Sequence, residues 1–170
     1  MNLSYCLNQL SVNAPAIQRL VEGIDGDQAR WKPAPDDWSI LEVINHLVDE
    51  EREDFPARIR HLLSETAGVW APIAPQKWVT ERAYNQRDLG DSVANYLRER
   101  QNSLEWLRTL GGANWEARYQ HPPLDGLTAG DLLVSWAAHD LLHLRQIIEL
   151  KWAYGQTQCA PYTPRYAGEW

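Results

Sequence analysis

The sequence predicts an all-α fold, an antiparallel up-and-down four-helix bundle with long connections. Four segments place apolar residues at i, i+3, i+4 and i+7, which is the spacing of an amphipathic helix. No segment sustains the period-2 alternation that is typical of a half-buried strand. A length of 170 residues suits one hydrophobic core, and nothing in the sequence marks a boundary, so we expect a single domain over residues 1–170.

The first predicted helix covers residues 2–23. Leu3, Leu7 and Leu10 begin an apolar row that continues towards the end of the segment. Pro15 lies inside this row. Because proline lacks an N–H and its ring clashes with the preceding turn, we expect a kink or a break there.

The second predicted helix covers residues 40–64 and has a well-marked start. Ser39 is a good N-cap, and Glu42 three residues later completes a capping box. His46 lies at the edge of the apolar face of this helix. Pro56 predicts a kink near its middle.

A long connection over residues 67–85 follows the second helix. Connections of this length are usually functional or pack across the rest of the fold. The third predicted helix covers residues 88–110, and Gly111 and Gly112 close it.

The fourth predicted helix begins after a second connection. Thr128 is its N-cap, and Asp131 at position N3 faces the positive end of the helix dipole. We expect the helix to continue to about Tyr154 and to stop at Gly155.

The charge and the composition exclude several classes of partner. The chain has 16 Lys and Arg against 23 Asp and Glu, a net charge of −7. Because phosphate binding requires clustered cations, we expect no nucleic-acid partner. No apolar run approaches the ~18–20 residues that a membrane span needs, so we expect no membrane partner.

The N-terminal sequence and the cysteines predict a cytoplasmic protein. The first residues lack the basic and apolar regions of a signal peptide. Cys6 and Cys159 are too few and too far apart for a disulfide framework or a cysteine-based zinc site. We expect reduced thiols, with a single bridge between the two ends of the chain as the alternative.

The histidines carry the main chemical signal. His139 and His143 lie at i and i+4 on the fourth helix, so both imidazoles leave the same face and can reach one metal ion. Their apolar surroundings would make two unpartnered imidazoles costly to bury. His46, which also borders an apolar face, is the best candidate for a third ligand from another helix. Asp49 and Glu50 share its side of the helix and are candidates to orient a ligand, to activate a bound water or to supply a fourth ligand.

Each histidine also has a simpler interpretation. Taken alone, a histidine such as His46 is more often an ordinary core or surface residue than a metal ligand. For the pair on the fourth helix, taken alone, metal binding and an ordinary structural role are equally plausible. We interpret His61 and His121 as solvated, because the first falls on a polar helix side and the second precedes two prolines in a loop.

Two sequence segments, taken together, resemble the DinB/YfiT-like superfamily of metal-dependent enzymes. They are WSILEVINHLVDEE, residues 38–51, and HDLLHLRQI, residues 139–147, and the resemblance extends to most of the chain. It implies a DinB-like four-helix bundle with one divalent metal ion, most often nickel or zinc, held by three histidines. Those histidines correspond here to His46, His139 and His143.

Asp49 and Glu51 also match acidic positions that are typical of this superfamily. Glu51 is rotated about 140° round the helix from His46, at ~100° per residue. We therefore expect it to form a structural ion pair with Arg58 rather than to reach the metal.

The resemblance implies a metal-dependent enzyme that acts on a small-molecule substrate. One reaction in the superfamily is transfer of a low-molecular-weight thiol (bacillithiol, mycothiol or glutathione) onto a small electrophile, which would make the chain a thiol S-transferase. The alternatives are a metal-dependent hydrolase and a non-catalytic metal-binding bundle of the stress response. For any of these a homodimer is the default assembly.

A thiol cofactor would need cationic groups near the metal, because such thiols carry carboxylates. Arg145 on the fourth helix is the candidate for this role, together with Arg82 and Arg87 in the long connection. Trp136, one turn before His139, is a candidate for the pocket wall. The alternatives are surface arginines and a core tryptophan.

Overall fold

The computed structural model describes residues 2–64 and 68–168, so Ala67, the first residue of the predicted long connection, lies outside the described residues. The described residues form seven α-helices and no β-strand, which confirms the predicted all-α class. The helices are α1 (Leu3–Val21), α2 (Gly26–Arg30), α3 (Ile40–Glu53), α4 (Phe55–Leu63), α5 (Pro75–Glu81), α6 (Leu89–Arg108) and α7 (Ala129–Gln158). Short 3-10 helices cover Tyr84–Gln86 and Arg165–Ala167.

Four long elements form the bundle: α1, the consecutive pair α3 and α4, α6, and α7. One apolar cluster packs between α1, α4, α6 and α7, and a second packs between α1, α3, α6 and α7. Glu51, Arg100 and Asp140 are buried polar residues that fall between the two clusters along their helices. A polar layer therefore divides the core into two halves.

The helices α3 and α6 run in the same direction. Asn45 Nδ2 donates to Ser92 Oγ at 3.0 Å, and further along both helices Arg52 donates to Glu99 at 2.7 Å. Parallel neighbours in a bundle need a long crossover connection, which the chain supplies between α4 and α6.

The helices α1 and α7 form the second parallel pair. Tyr5 and Val134 line one groove near the start of both helices, and the Lys151 ammonium donates to the Leu20 carbonyl near the end of α1. Since α7 is antiparallel to α3, the four elements run up, down, down and up. The four-helix bundle is as predicted, but this order differs from the predicted up-and-down order, because the long crossover places α6 parallel to α3.

The long connection packs along the outside of α3. Tyr84 donates its hydroxyl hydrogen to Asp49, and the Ser39 hydroxyl donates to Asn85 Oδ1 at 2.7 Å. With this cover, every residue from Ile40 to Glu51 is buried, including the acidic ones. Of the two usual roles of such a connection, packing across the fold is the one that these contacts show.

Of the kink or break expected at Pro15, the break is absent, and the predicted end of the fourth helix at Gly155 is wrong. No break occurs at Pro15, because α1 is continuous through it. Pro15 and Ser11 are both exposed, so water can reach the Ser11 carbonyl that loses its helical partner. Gly155 does not end α7, which continues to Gln158, since a helical glycine costs only about 1 kcal/mol relative to alanine.

The predicted interruption near Pro56 occurs at Asp54. There α3 ends at Glu53 and α4 begins at Phe55, and Asp54 between them has φ −114° and ψ −97°. Pro56 then occupies the first turn of α4, where a missing N–H costs no helical hydrogen bond.

Two further observations bear on the predictions made from composition. Within the described ranges, no helix combines the length and the apolar character that crossing a membrane requires. Cys6 is buried, Cys159 is exposed, and both are free thiols.

The predicted N-caps of both helices that carry the candidate histidines are confirmed. Ser39 Oγ accepts from the Glu42 N–H while the Glu42 carboxylate accepts from the Ser39 N–H, a complete capping box. Thr128 and Asp131 form the same reciprocal pair at the start of α7. These caps fix where the helices that carry the histidines begin.

We expect Ser39→Ala to lower the free energy of unfolding by about 1–2 kcal/mol, because it removes the cap of α3 and the hydrogen bond to Asn85. Urea denaturation measures this change. The control is Ser11→Ala, an exposed serine within α1, which should change the free energy by less than about 0.5 kcal/mol. Equal effects of the two substitutions would contradict the importance of the cap.

Candidate metal centre

The structure brings the three predicted histidines together. His46 comes from α3, and His139 and His143 come from adjacent turns of α7. His139 Nε2 lies 3.4 Å from His46 Nε2 and 3.1 Å from His143 Nε2. The antiparallel packing of α3 and α7 therefore aims three ring nitrogens at one point.

These separations fit a single divalent ion. Nitrogens bound at ~2.0–2.1 Å to one ion lie roughly 3.0–3.4 Å apart, depending on the coordination geometry. Among the residues that the structure describes, this is the one group of three or more His, Cys, Asp or Glu side chains whose ligand atoms lie within 4.8 Å of one another. Imidazole nitrogens suit zinc and nickel, so the donor set agrees with the predicted metals.

Burial keeps the three imidazoles neutral, which is the form that binds a metal. His46 and His143 are only 4% and 8% exposed. Burial, with smaller contributions from the other two histidines, lowers the pKa of His46 to about 2. Burial followed by the charges of His143 and Arg100 lowers the pKa of His139 to about 3. The pKa of His143 is also lowered, mainly by burial.

Neighbouring groups leave the Nε2 atoms free to face the centre. His143 Nδ1 lies 2.8 Å from Gln146 Oε1, and because an amide oxygen only accepts, the Nδ1–H donates and Nε2 keeps its lone pair. The rings of Trp38 and Phe55 pack edge-on against His46 and His139, with centroids 4.9 and 5.3 Å away. These contacts restrict the orientation of each imidazole.

Glu50 lies behind His46 rather than in front of it. Its Oε1 is 3.5 Å from His46 Nδ1, on the side of the ring away from the other histidines. Burial, then the charge of Asp54 and a hydrogen bond with it, raises the pKa of Glu50 to about 9. The two groups form no hydrogen bond at this distance, and His46 Nδ1 is buried without a hydrogen-bond partner among the described residues.

Asp49 is turned towards the long connection instead of the triad. Arg82 Nη1 donates to its Oδ2 at 2.6 Å, and Tyr84 donates to the same oxygen. Arg82 also pairs with Glu53 at 2.5 Å. These contacts attach the connection to α3. They direct the Asp49 carboxylate towards Arg82 and Tyr84 rather than towards the histidines.

The two predicted cofactor-binding residues lie away from the triad. Arg145 is 70% exposed and forms an i,i+4 pair with Glu149 at 3.4 Å. Trp136 is buried in the core, where it stacks on Phe55 with a centroid distance of 5.8 Å and donates to Glu51 Oε1 at 2.9 Å. Neither residue lines the cleft beside the histidines.

The predicted ion pair between Glu51 and Arg58 is wrong. Glu51 pairs with Arg100 of α6 at 2.7 Å, and Arg58 pairs with Asp54 at 2.6 Å. The helical spacing correctly pointed Glu51 away from the metal. It could not identify the partner, because the parallel packing of α6 on α3 is a long-range feature.

The triad opens onto a cleft of about 430 Å³. Sequence reasoning missed most of its wall, which includes Asp36, Asp37 and Trp38 before α3, Gln76 of α5 and Gln146 of α7. Trp38 Nε1 donates to Gln76 Oε1 at 3.2 Å, which joins two sides of the wall. Residues 36–38 directly precede the capped helix that carries His46, so their place in the cleft wall could have been predicted from the sequence. Nothing in the sequence indicated Gln76.

The lining of the cleft is acidic. The described wall holds two aspartates and neither lysine nor arginine. Arg82 and Arg87, which were candidates to bind a cofactor carboxylate, instead donate to Asp49 and Asn45. The site therefore combines a convergent nitrogen triad with a negatively charged entrance.

Comparisons with known proteins identify the family and match the fold. A sequence model of the DinB superfamily matches residues 9–147. Among solved structures, YfiT from Bacillus subtilis superposes with a TM-score of 0.79 at 20% sequence identity, over 90% of this chain and 87% of that chain. YfiT is described as "a probable metal-dependent hydrolase with an unusual four-helix bundle topology". No curated protein matches the sequence.

We expect the protein, purified without a histidine tag, to contain close to one equivalent of zinc or nickel by mass spectrometry. His143→Ala should reduce the bound metal by at least about tenfold, because two nitrogens hold an ion much less tightly than three. His61→Ala removes a histidine of α4 outside the triad and should leave the metal content unchanged. A metal-free wild type that gains no thermal stability from added zinc or nickel would rule out the site.

In the metal-free protein, the lowered pKa of His46 predicts a pH-dependent cost. Below the ordinary histidine pKa of ~6.5 the unfolded chain binds a proton that the buried imidazole does not, so folding is penalised increasingly as the pH falls from there towards the folded value. We expect His46→Asn to remove this part of the pH dependence between pH 7 and 5, measured by urea denaturation in chelator. The raised pKa of Glu50 acts in the opposite direction, so the informative quantity is the difference between the two proteins. Parallel stability curves would show that His46 is not a buried neutral base.

Proposed function

This chain belongs to the DinB superfamily, and we propose that it is a divalent-metal-dependent hydrolase that acts on a small neutral or cationic molecule. The observation that carries the proposal is a three-histidine centre that opens onto an acidic cleft. The description of the structurally similar YfiT as a metal-dependent hydrolase supports the same reaction class.

The donor set is typical of a catalytic site. Structural zinc sites are normally closed by four protein ligands, whereas catalytic sites use three and keep a position open. In residues 2–64 and 68–168, no fourth carboxylate, thiol or imidazole joins His46, His139 and His143. When bound, a divalent ion supplies Lewis acidity, which polarises a scissile bond and lowers the pKa of water.

The protein's own residues hold this centre in a reactive arrangement. Gln146 accepts from the Nδ1–H of His143, which keeps Nε2 as the ligand atom on that ring. Glu50 Oε1 lies 3.5 Å from His46 Nδ1, and a closer approach on metal binding would give His46 the same arrangement. Glu50 is buried and does not line the cleft, so we assign it to orienting His46 rather than to proton transfer.

The aspartates of the cleft are better placed to contact a substrate than Asp49 or Glu50. Asp36 and Asp37 are exposed at the entrance, on the open side of the histidines. Their charge favours neutral or cationic substrates, and a cleft of about 430 Å³ is within the range of ligand pockets for small molecules.

The same charges argue against transfer of a low-molecular-weight thiol. The carboxylates of glutathione, bacillithiol or mycothiol would meet Asp36 and Asp37 rather than cations. Arg145, the predicted partner for such a cofactor, is exposed and paired with Glu149. Hydrolysis needs no anionic cofactor and therefore fits the cleft better.

The test is a screen of the zinc- and nickel-loaded protein against small neutral, cationic and anionic ester and amide substrates. We expect turnover that favours neutral or cationic substrates and that His143→Ala lowers by at least about 100-fold, because the open Lewis-acid site is lost. Asp37→Asn should reduce the preference for cationic over anionic substrates mainly through KM.

Arg145→Ala separates the two reactions. Hydrolysis predicts unchanged turnover in this variant, since Arg145 lies outside the cleft, whereas thiol transfer to which Arg145 contributes predicts a loss. Turnover that requires added thiol would contradict hydrolysis. A metal-loaded protein that turns over none of these substrates, with or without added thiol, would favour the non-catalytic, metal-binding bundle.

A further inference from the structure

Arg100 is a fully buried cation in a helix that supplies no metal ligand. It lies in α6 and is only 1% exposed. Its Nε donates to Glu51 Oε1 at 2.8 Å, and its Nη1 and Nη2 donate to Asp140 at 2.7 and 2.8 Å. Nη1 also donates to the Leu10 carbonyl of α1 at 2.9 Å. One guanidinium thus contacts three other elements of the bundle.

The two carboxylates that it binds lie on the two metal helices. Glu51 follows His46 on α3 by little more than one turn, and Asp140 lies between His139 and His143 on α7. Trp136 of α7 donates to the same Glu51 oxygen at 2.9 Å, which adds a direct link between these helices. The network is therefore attached to both helices within five residues of every proposed ligand.

We infer that Arg100 is a positioning residue that sets the separation of His46 from His139 and His143, and so determines the affinity and the coordination geometry of the bound metal. The inference rests on the metal centre of the proposed function but not on its reaction. It assigns Arg100 no contact with the metal or the substrate.

The geometry of the guanidinium suits this role. A planar fork with fixed donor directions holds two carboxylates at defined distances, which a flexible ammonium does not. Apolar contacts are non-directional, so they define the relative position of two helices less sharply than directed hydrogen bonds do. A bidentate charged link fixes that relative position at the level of the histidines.

A purely stabilising role explains the network less well. Replacing a buried ion network with apolar or neutral groups of similar volume is often neutral or stabilising, because the charges no longer have to be desolvated. The polar layer also interrupts two apolar clusters that could otherwise be continuous. Its presence is better explained by a geometric requirement of the adjacent triad.

Two variants test the inference. Arg100→Lys keeps the charge and removes the fork, and the triple variant Glu51→Gln, Arg100→Met, Asp140→Asn removes all three charges while leaving an acceptor for Trp136. Leu107→Ala is the control, because Leu107 is fully buried in α6 but belongs to the apolar cluster rather than the network. Cobalt(II) titration with a competing chelator gives the affinity, the visible d–d bands report the coordination geometry, and thermal unfolding of the metal-free protein reports folding.

We expect both network variants to bind cobalt about 10–100-fold more weakly than the wild type and with altered d–d bands. Leu107→Ala should lower the melting temperature and leave both cobalt readouts unchanged. Wild-type affinity and bands in Arg100→Lys would overturn the inference, and so would a folded triple variant with wild-type cobalt binding. If the triple variant does not fold, Arg100→Lys decides.

The outcomes also separate this inference from the proposed function. A wild type that binds cobalt but hydrolyses nothing contradicts the hydrolase, and the cobalt affinities still decide the role of Arg100. A wild type that binds no cobalt overturns the metal centre and this inference with it.

Discussion

The relative position of α3 and α7 is the constraint on which the rest of the structure depends. A helix presents its side chains at fixed intervals, so the spacing of His139 and His143 is local. The approach of His46 is not local, because it requires two antiparallel helices to meet at one register. The Glu51–Arg100–Asp140 layer lies at this level of the bundle, where it links α3, α6 and α7. The histidines thus line an open cleft, and the charged layer links the helices that carry them.

Burial and electrostatics act together at the centre. The long connection covers α3 on its outer face, chiefly through Tyr84 and Arg82 on Asp49, so even the acidic end of the helix is withdrawn from water. The same burial keeps the histidines as neutral bases, ready to bind a cation. Asp36 and Asp37 lie at the entrance of the cleft, so the electrostatic potential there is negative. These features support the proposed hydrolysis over transfer of an anionic thiol.

Local rules predicted much of this from the sequence. The capping box at Ser39, the N-cap at Thr128, the i,i+4 pair on α7 and the all-α class depend on residues close together in the chain, and the structure has all of them. The features that failed depend on tertiary surroundings. Pro15 is tolerated inside α1 because its face is exposed, and Glu51 finds Arg100 because a long crossover places α6 parallel to α3. The cleft wall was missed for the same reason, since Gln76 reaches the site only through the path of the connection.

The most direct test of the central claim is a crystal structure of the zinc-loaded protein with anomalous data collected at the zinc edge. We expect one anomalous peak between α3 and α7, ~2.0–2.1 Å from Nε2 of His46, His139 and His143, with a non-protein ligand on the side of Asp36 and Asp37. A peak elsewhere, coordination through Nδ1, or a fourth protein ligand closing the site would contradict it.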